Sequence, residues 1–441
     1  MTQDNIFEDH DEILDEEWQD LYPDEITAFI GMVIRPTHHH EEARASLEEM
    51  ERLADTADIK VLDIVSQNRK NPDNSLYFGK GFLEELVLKM KEVGCELLII
   101  NDELSPSQAR NIEKEHEIEV IDRTEVILTI FHRHAKTKEA KLQVKLAELK
   151  YQLPRLKRLW THLDQERGTA RSMGGSASRG MGEKQLEIDR RLIRTQISKI
   201  DKAIDRISAI KETQRKSRDS TKTVCIVGYT NAGKSTLFNK LTDAGVLVQD
   251  QLFATLDSTS RQLKLSAGEP VILSDTVGFI ADLPHHLVAS FRATLMEAVD
   301  ADLLIHLVDI SDERHEFYIE QVNKVLQSIG AGEIPQLLVL NKADLLDPMR
   351  LKLISKYYKG SVAISARTGE NLDELLVMIE EKLYSKRVYH LKLPYEQTSV
   401  VSRMHDLGKI SKEEYLEDGI YLEVTLPQMY SHLIKDYMIE A

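Results

Sequence analysis

Apolar residues recur along the chain with two different periods, and these predict the order of helices and strands. Residues 26–131 alternate strand-like apolar runs with helical patterns, which predicts an amino-terminal α/β domain. Residues 221–386 show a second alternation, which predicts a doubly wound α/β domain with a mainly parallel sheet. Residues 387–441 predict a small α/β domain in which two strands flank a helix. No apolar run is long enough to predict a transmembrane helix.

Residues 132–220 instead carry a seven-residue repeat on two segments. On the first segment the repeated apolar residues are Leu142, Leu146, Leu149, Leu153, Leu156 and Trp160. On the second segment they are Ile193, Ile197, Ile200, Ile204 and Ile207. Spacings that alternate between four and three residues predict an antiparallel coiled-coil hairpin, with a glycine-rich loop at its tip.

Charge is distributed unevenly along the chain, whose formal net charge is −17. The first 30 residues hold eleven Asp and Glu and no Lys or Arg, so we expect residues 1–25 to form a disordered acidic tail. Residues 132–219 hold 23 Lys and Arg against 11 Asp and Glu. A basic segment inside an acidic protein indicates contact with a polyanion, although a flexible linker is the alternative for its glycine-rich tip.

A run of eight residues between a strand pattern and a helix pattern has the sequence of a phosphate-binding loop. Its glycines let backbone N–H groups point at phosphate oxygens, and the helix N-terminus adds partial positive charge. Lys234 is expected to reach the β- and γ-phosphates, and the Ser235 hydroxyl to ligate Mg²⁺. The predicted phosphate-binding residues are Gly228, Tyr229, Thr230, Asn231, Ala232, Gly233, Lys234, Ser235 and Thr236.

Two later segments, each directly after a strand pattern, predict that the base is guanine. The Asp344 carboxylate can accept two hydrogen bonds from guanine and none from adenine, so ATP would leave it unpaired. Asn341 can form a hydrogen bond with the other edge of the base, and Lys342 can lie over the ring. A backbone N–H of Ser365 or Ala366 can donate a hydrogen bond to the guanine oxygen. The predicted base-binding residues are Asn341, Lys342, Ala343, Asp344, Ser365, Ala366 and Arg367.

Between these motifs, two segments are expected to sense the γ-phosphate. Asp275 is expected to hold Mg²⁺ through a water, and Gly278 to offer its N–H to the γ-phosphate. Thr255 is the candidate that completes the coordination of Mg²⁺. The side-chain oxygens of residues 257–260 could also coordinate the cation, but the position of Thr255 in the order of the motifs favours Thr255. The predicted residues are Phe253, Ala254, Thr255, Leu256, Asp257, Asp275, Thr276, Val277 and Gly278.

Phe279 stands directly after Gly278, where many GTPases have a glutamine that orients the attacking water. A phenyl ring cannot bind water usefully, so intrinsic hydrolysis is expected to be slow and to be raised greatly by a partner. Asn231 is similar to the asparagine of GTPases that recruit K⁺, or it is a loop residue that tolerates unusual backbone angles. The predicted catalytic residues are Lys234, Thr255, Gly278 and Asn231.

From residue 26 onward the chain resembles the HflX family of ribosome-associated GTPases. The most specific matches are Lys141-Leu142-Gln143-Val144, Leu153-Pro154-Arg155-Leu156 and the stretches 182–191, 253–257 and 275–279. The resemblance implies a Mg²⁺-dependent GTPase that binds the 50S ribosomal subunit and splits stalled or idle 70S ribosomes. It also implies that the basic hairpin contacts ribosomal RNA near the peptidyl transferase centre. The candidate contacts are Arg167, Arg171, Arg179, Lys184, Arg190 and Arg191.

Two other functions fit the same motifs. A GTP-dependent signalling adaptor would hydrolyse little and regulate a protein partner, and a 50S assembly GTPase would share the ribosomal contact without splitting. We expect a cytoplasmic monomer, with peripheral membrane association left open. Cys95 and Cys225 lie in apolar runs and are expected to be small buried hydrophobes rather than disulfide partners.

Overall fold

The structure is a computed structural model, and it divides into two compact units. The first unit holds the described residues up to 216 together with Leu252, Phe253, Ala281 and 292–294, and the second unit holds the remainder. The structure describes residues 26–37, 40–168, 177–216, 221–242, 252–253, 259–265, 270–281, 292–384, 386–416 and 419–439.

The first unit begins with alternating strands and helices. They are β1 (Ile26–Ile34), α1 (His40–Thr56), β2 (Ile59–Asn68), α2 (Lys80–Glu92), β3 (Leu97–Ile100), α3 (Pro106–His116), β4 (Glu119–Asp122) and α4 (Arg123–His134). The four strands form a parallel sheet in the order β2-β1-β3-β4. All four β3 residues are buried, which explains a continuous rather than alternating apolar run. The predicted α/β domain is confirmed.

Two long helices, α5 (Lys138–Gly168) and α6 (Ala177–Lys216), follow in the same unit. Most residues of the predicted seam pack together: Leu142, Leu146, Leu149 and Ile200 form a buried cluster with Ala203, which the repeat did not indicate, and Ile193, Ile197, Ile204 and Ile207 pack against it. Leu153 and Leu156 are described but are not part of this cluster. Trp160 and the side chains of the tip lie outside what the structure describes. The coiled-coil form of the hairpin therefore stays a prediction.

The second unit opens with a six-stranded sheet. Its elements are β5 (Thr223–Gly228), α7 (Lys234–Thr242), β6 (Thr259–Lys264), β7 (Pro270–Asp275), α8 (Arg292–Val299), β8 (Leu303–Asp309), α9 (His315–Ser328), β9 (Gln336–Asn341), α10 (Pro348–Tyr357), β10 (Val362–Ala363) and α11 (Leu372–Tyr384). The strand order is β10-β9-β8-β5-β7-β6, and only β6 runs antiparallel to its neighbour. The chain leaves β5 in both directions across the sheet, so the carboxyl ends around β5 form the crevice where such folds bind ligands.

The end of the second unit is a small antiparallel sheet. It contains β11 (Lys386–Leu393), α12 (Thr398–Leu407), β12 (Lys409–Leu416) and β13 (Gly419–Pro427), with the strand order β11-β13-β12. Strand β12 was not predicted because its edge position leaves most of its side chains exposed, so it lacks a clear apolar alternation. Within the described residues, no helix combines the length and the apolar character needed to cross a membrane.

Candidate nucleotide-binding site

The predicted phosphate-binding loop connects β5 to α7 at the carboxyl edge of the sheet. Gly233 has a φ of +92°, and a Cβ on it would collide with the side-chain amide of Asn341. A Cβ on Gly228 would collide with the backbone carbonyl of Leu307 on the adjacent strand. Only glycine fits at either position, because the loop is pressed against the strands behind it.

Lys234 is the first residue of α7, and its side chain is buried. Its Nζ donates a hydrogen bond of 2.8 Å to the carbonyl of Tyr229, so the ammonium lies inside the curl of the loop. Burial lowers the pKa of Lys234 to about 8, and the charge of Asp275 acts in the opposite direction. A Cβ added to Gly278 would lie 3.0 Å from this Nζ, so the residue predicted to sense the γ-phosphate is brought beside Lys234.

A second polar group in the loop is also buried. The Thr230 hydroxyl has no hydrogen-bond partner among the described residues, although Thr230 is only 7% exposed. A buried hydroxyl without a partner is costly, and a phosphate oxygen in the loop would satisfy it.

Ser235 and Asp275 form the candidate Mg²⁺ site. The Ser235 Oγ donates a hydrogen bond of 2.8 Å to Oδ2 of Asp275, and Asp275 is fully buried at the end of β7. Hydroxyl and carboxylate oxygens at this separation suit a hard divalent cation. The donor set of this chain therefore fits a divalent cation such as Mg²⁺, which Ser235 and Asp275 would hold.

Phe279 joins the segment after β7 to the phosphate-binding loop. Its N–H donates to the carbonyl of Gly228 at 3.1 Å, and its carbonyl accepts from the N–H of Thr230 at 2.7 Å. Phe279 as a whole residue is only 3% exposed. The phenyl ring therefore belongs to the protein interior, and the backbone of this segment is fixed to the loop on both sides.

Asn341 connects the phosphate-binding loop to the predicted guanine-binding loops. Its side-chain amide donates to the carbonyl of Ala232 at 2.7 Å, and its Oδ1 accepts from the N–H of Ala366 at 2.9 Å. Both bonds are buried. The side chain of Asn341 thus joins its own loop to the phosphate-binding loop and to the loop after β10.

The acceptor predicted for guanine lies beside cationic groups. Asp344 forms an ion pair of 2.6 Å with Arg367. A hydrogen bond from Ser365, together with the charge of Arg367, lowers the pKa of Asp344, so the carboxylate is ionised and ready to accept. Lys342 adopts a left-handed φ of +64°, and its amine pairs with Asp309 at 2.7 Å.

Tyr229 of the phosphate-binding loop packs against Tyr318, which no sequence motif indicates. Its ring stacks on the ring of Tyr318 of α9, with centroids 4.2 Å apart and planes inclined by 30°. Arg314 lies over the other ring at 5.5 Å and pairs with Asp312. The phosphate-binding loop is therefore supported by an aromatic pair on a neighbouring helix.

Asn231 is exposed and has a φ of +60°. Asparagine tolerates this left-handed conformation better than most residues, which gives a conformational reason for its presence. Of the other predicted residues, Thr236 continues α7, Thr276 donates to the carbonyl of Ile226 at 2.7 Å, and Val277 is buried.

Several candidates lie outside the described residues. They are Ala254, Thr255, Leu256 and Asp257, as well as Arg171 and the side chains of Arg167, Arg179 and Lys184. Arg190 and Arg191 are described on α6, half-buried and exposed respectively.

Within the first unit, helices α1 and α4 contact Leu252, Phe253 and Ala281, which lie in or close to the predicted sensing segments along the chain. Arg123 donates to the carbonyl of Ala281 at 3.1 Å, and the ring of Phe131 meets that of Phe253 edge to face at 4.7 Å. Thr56, at the end of α1, accepts from the N–H of Leu252 at 3.3 Å. No sequence motif identifies Arg123, Phe131 or Thr56, because their relevance to the site depends on tertiary contacts with residues that are distant in the sequence.

Comparison with known families finds three consecutive matches. Residues 44–132 match the model described as "GTP-binding GTPase N-terminal", and residues 134–218 match "GTP-binding GTPase Middle Region". Residues 223–342 match the model described as "50S ribosome-binding GTPase".

Curated relatives match most of the chain. A protein named GTPase HflX from Lacrimispora saccharolytica is 41% identical and covers 91% of this chain and 94% of its own length. A GTPase HflX from Escherichia coli is 43% identical over 86% of this chain and 89% of its own length. A solved GTP-binding protein from Sulfolobus solfataricus, in complex with GDP, is 27% identical, covers 81% of this chain and 98% of that chain, and has a TM-score of 0.42.

Proposed function

The chain belongs to the HflX family of GTPases and is a GTP hydrolase, and from that premise we propose that it binds the 50S ribosomal subunit and splits stalled or idle 70S ribosomes. Two observations carry the proposal: Asn341 joins the phosphate-binding loop to the base-binding loops, which supports the binding of a nucleotide, and residues 132–219 are strongly basic, which supports contact with a polyanion. The matched model over residues 223–342, described as a 50S ribosome-binding GTPase, supports the ribosome as the target.

The residues of the site divide the work of binding and hydrolysis. Lys234 neutralises the β- and γ-phosphates, and the buried Thr230 hydroxyl is available to a phosphate oxygen. Asp344, ionised beside Arg367, accepts from guanine. Gly278 lies next to Lys234, so its N–H is placed to report whether a γ-phosphate is present.

Ser235, Asp275 and the switch residue Thr255 would hold Mg²⁺. When bound, the cation neutralises charge that develops on the phosphate oxygens. Asn231 would hold K⁺ in the same region, although its left-handed φ is a sufficient reason for asparagine there. Comparing hydrolysis in K⁺ and Na⁺ buffers decides between these two roles.

Phe279 supplies no hydrogen bond to water, and its ring is buried. The chain alone therefore lacks the glutamine that would orient the nucleophile, so hydrolysis depends on a partner. The basic hairpin provides the contact with that partner, since ribosomal RNA is a polyanion and residues 132–219 are strongly basic.

The test measures GTP hydrolysis, co-sedimentation with 50S subunits and light scattering of 70S particles. We expect strong stimulation by 50S subunits, attachment with a non-hydrolysable GTP analogue but not with GDP, and a fall in 70S scattering. The variant Arg190→Glu with Arg191→Glu should weaken attachment at least tenfold, and Lys199→Glu with Lys202→Glu on the same helix is the matched control.

The outcomes separate the alternatives. Attachment and stimulation without splitting would contradict the proposal and favour an assembly GTPase. Absence of both attachment and stimulation would contradict it and favour a signalling adaptor. Equal attachment with GDP and with the GTP analogue would remove the nucleotide switch from the proposal.

A further inference from the structure

Helix α10, which follows the guanine-binding loop, exposes a row of apolar side chains. Met349 is 78% exposed, Leu353 is 65% exposed and Tyr357 is 70% exposed. Residues four apart lie on one face of a helix, so these three form a continuous stripe along about 12 Å. A surface helix normally places polar residues there.

The opposite side of α10 is already packed. Leu351, Ile354 and Tyr358 contact a buried cluster that includes Ile310 and Leu340. The exposed stripe is therefore a second apolar face, and the helix cannot turn it inward without losing the first. The Asp347 side chain accepts hydrogen bonds from the N–H groups of Met349 and Arg350, so the helix start is fixed before any partner arrives.

Cations border the stripe. Residues 348–359 contain four Lys and Arg and no Asp or Glu, in a chain whose net charge is −17. At 100° per residue, Lys352 and Lys356 lie along one border of the stripe and Arg350 along the other. Both lysines are exposed, and neither forms an ion pair with any residue that the structure describes; Arg350 lies 3.6 Å from Glu313.

We propose that this face, formed by Met349, Leu353 and Tyr357 with Lys352 and Lys356 beside them, binds an acidic amphipathic helix of another protein. Such a helix offers an apolar stripe for Met349 and Leu353 and carboxylates for the lysines on the border. The preformed helix α10 lowers the ordering cost of the complex. This role is additional to nucleotide hydrolysis and to the proposed ribosomal contact of the basic hairpin.

RNA is a poorer match for the same face. Phosphate groups would pair with the lysines, and a base could stack on Tyr357. The aliphatic side chains of Met349 and Leu353 would gain little from either contact. A protein helix uses all three apolar residues and the charges together, which is why we prefer it.

The test uses a fluorescein-labelled synthetic peptide of 18 residues, with leucine at every third or fourth position and glutamate at most others. A second peptide of the same composition has leucines spread around the helix. Binding to the full-length protein is measured by fluorescence anisotropy at two salt concentrations. We expect the patterned peptide to bind, with the affinity decreasing as salt is raised, and the rearranged peptide to bind at least tenfold more weakly.

Variants assign the binding to α10. Leu353→Glu should weaken binding of the patterned peptide at least tenfold, and Lys352→Glu with Lys356→Glu should weaken it and remove its salt dependence. Leu88→Glu is the matched control, because Leu88 is 64% exposed on helix α2. All variants should retain GDP binding, which shows that the fold and the nucleotide site are intact.

Two results would overturn the proposal. The first is equal binding of the two peptides, or wild-type affinity of Leu353→Glu for the patterned peptide. The second concerns two other probes, a single-stranded RNA of 20 nucleotides and vesicles that contain anionic lipid. The proposal fails if either probe binds the wild type and not Leu353→Glu, while the affinity for the patterned peptide is the same in both proteins. That result would assign the face to nucleic acid or to a membrane surface.

Discussion

The guanidinium of Arg123 donates a hydrogen bond of 3.1 Å to the backbone carbonyl of Ala281, two residues beyond Phe279. The same guanidinium pairs with Glu49 and donates to Asn101 Oδ1 at 3.0 Å, and its side chain is 7% exposed. A buried arginine that is held on several sides cannot follow a moving partner, so it fixes the position of the carbonyl that it contacts.

The contact predicts that Arg123 positions the chain just after the γ-phosphate sensor. Arg123→Lys keeps a charge for Glu49 but cannot reach all the same acceptors at once. We expect the rate of GTP hydrolysis, measured with and without 50S subunits, to fall about tenfold, the equivalent of one charged hydrogen bond, while GDP affinity is unchanged. Arg133→Lys, at the other end of α4, is the control. An equal loss of GDP affinity would show general disruption instead.

Gly233→Ala should abolish nucleotide binding, because the new methyl group would displace the amide of Asn341. The matched variant is Gly330→Ala, whose φ of +86° is similar to that of Gly233 but whose added Cβ meets no atom within 4 Å. Both variants should lose about 1–2 kcal/mol of unfolding free energy through backbone strain. GDP affinity, measured by calorimetry, should fall more than 100-fold in the first variant and stay unchanged in the second.

Phe279→Gln should not create a fast GTPase, even though glutamine follows this glycine in many relatives of the fold. The side chain at this position is buried and the backbone is bonded to the loop, so an amide would face the interior rather than water. We expect unfolding free energy to fall by about 3 kcal/mol and the intrinsic single-turnover rate to remain low. A rise of tenfold or more would show that the segment rearranges when GTP binds.

Lys234 should take up a proton when nucleotide binds at high pH. Burial lowers its pKa to about 8, and contact with phosphate would raise it again. At pH 9 we expect GDP binding to take up close to one proton, and at pH 7 almost none, so that affinity decreases as pH rises through about 8. Calorimetry in buffers of different ionisation enthalpy measures the uptake, and Lys240→Met on the same helix should leave it unchanged. No uptake at pH 9 would contradict the buried position of the amine.

His306, at the centre of strand β8, should make stability depend on pH. Burial lowers its pKa from 6.5 to about 4, so between these values the unfolded chain binds a proton that the folded chain does not. This contribution is complete above about pH 6.5, and up to about 3 kcal/mol is lost as pH falls towards 4. Denaturant unfolding of the wild type and His306→Gln should show a shallower decrease in the variant over that range. Parallel curves would contradict it.

Much of the fold was predictable because its apolar patterns are local. The runs before Gly228 and Asn341 each predict a strand, and the glycines between strand and helix have a steric meaning that the structure bears out. Strand β4 and the edge strand β12 were not predicted, since a strand of four residues, or one whose side chains are mostly exposed, gives little periodicity.

The contacts that arrange the site were less accessible to sequence reasoning. Asn341 was predicted as a residue that binds the base, but its bonds to Ala232 and Ala366 depend on the meeting of distant strands. Tyr318 and Arg123 belong to no motif, and the partners of each lie in distant parts of the chain. Pair contacts of this kind are set by packing, which one sequence does not reveal.

The double anchoring of Asn341 has a consequence for ligands smaller than a whole nucleotide. Asn341 is bonded both to the phosphate-binding loop and to a base-binding loop. A guanosine without phosphates would contact only the base-binding loops, and a pyrophosphate without a base would contact only the phosphate-binding loop. The sum of the binding free energies of the two separate fragments should therefore be much less favourable than the binding free energy of intact GDP. Each fragment should also raise the affinity of the protein for the other.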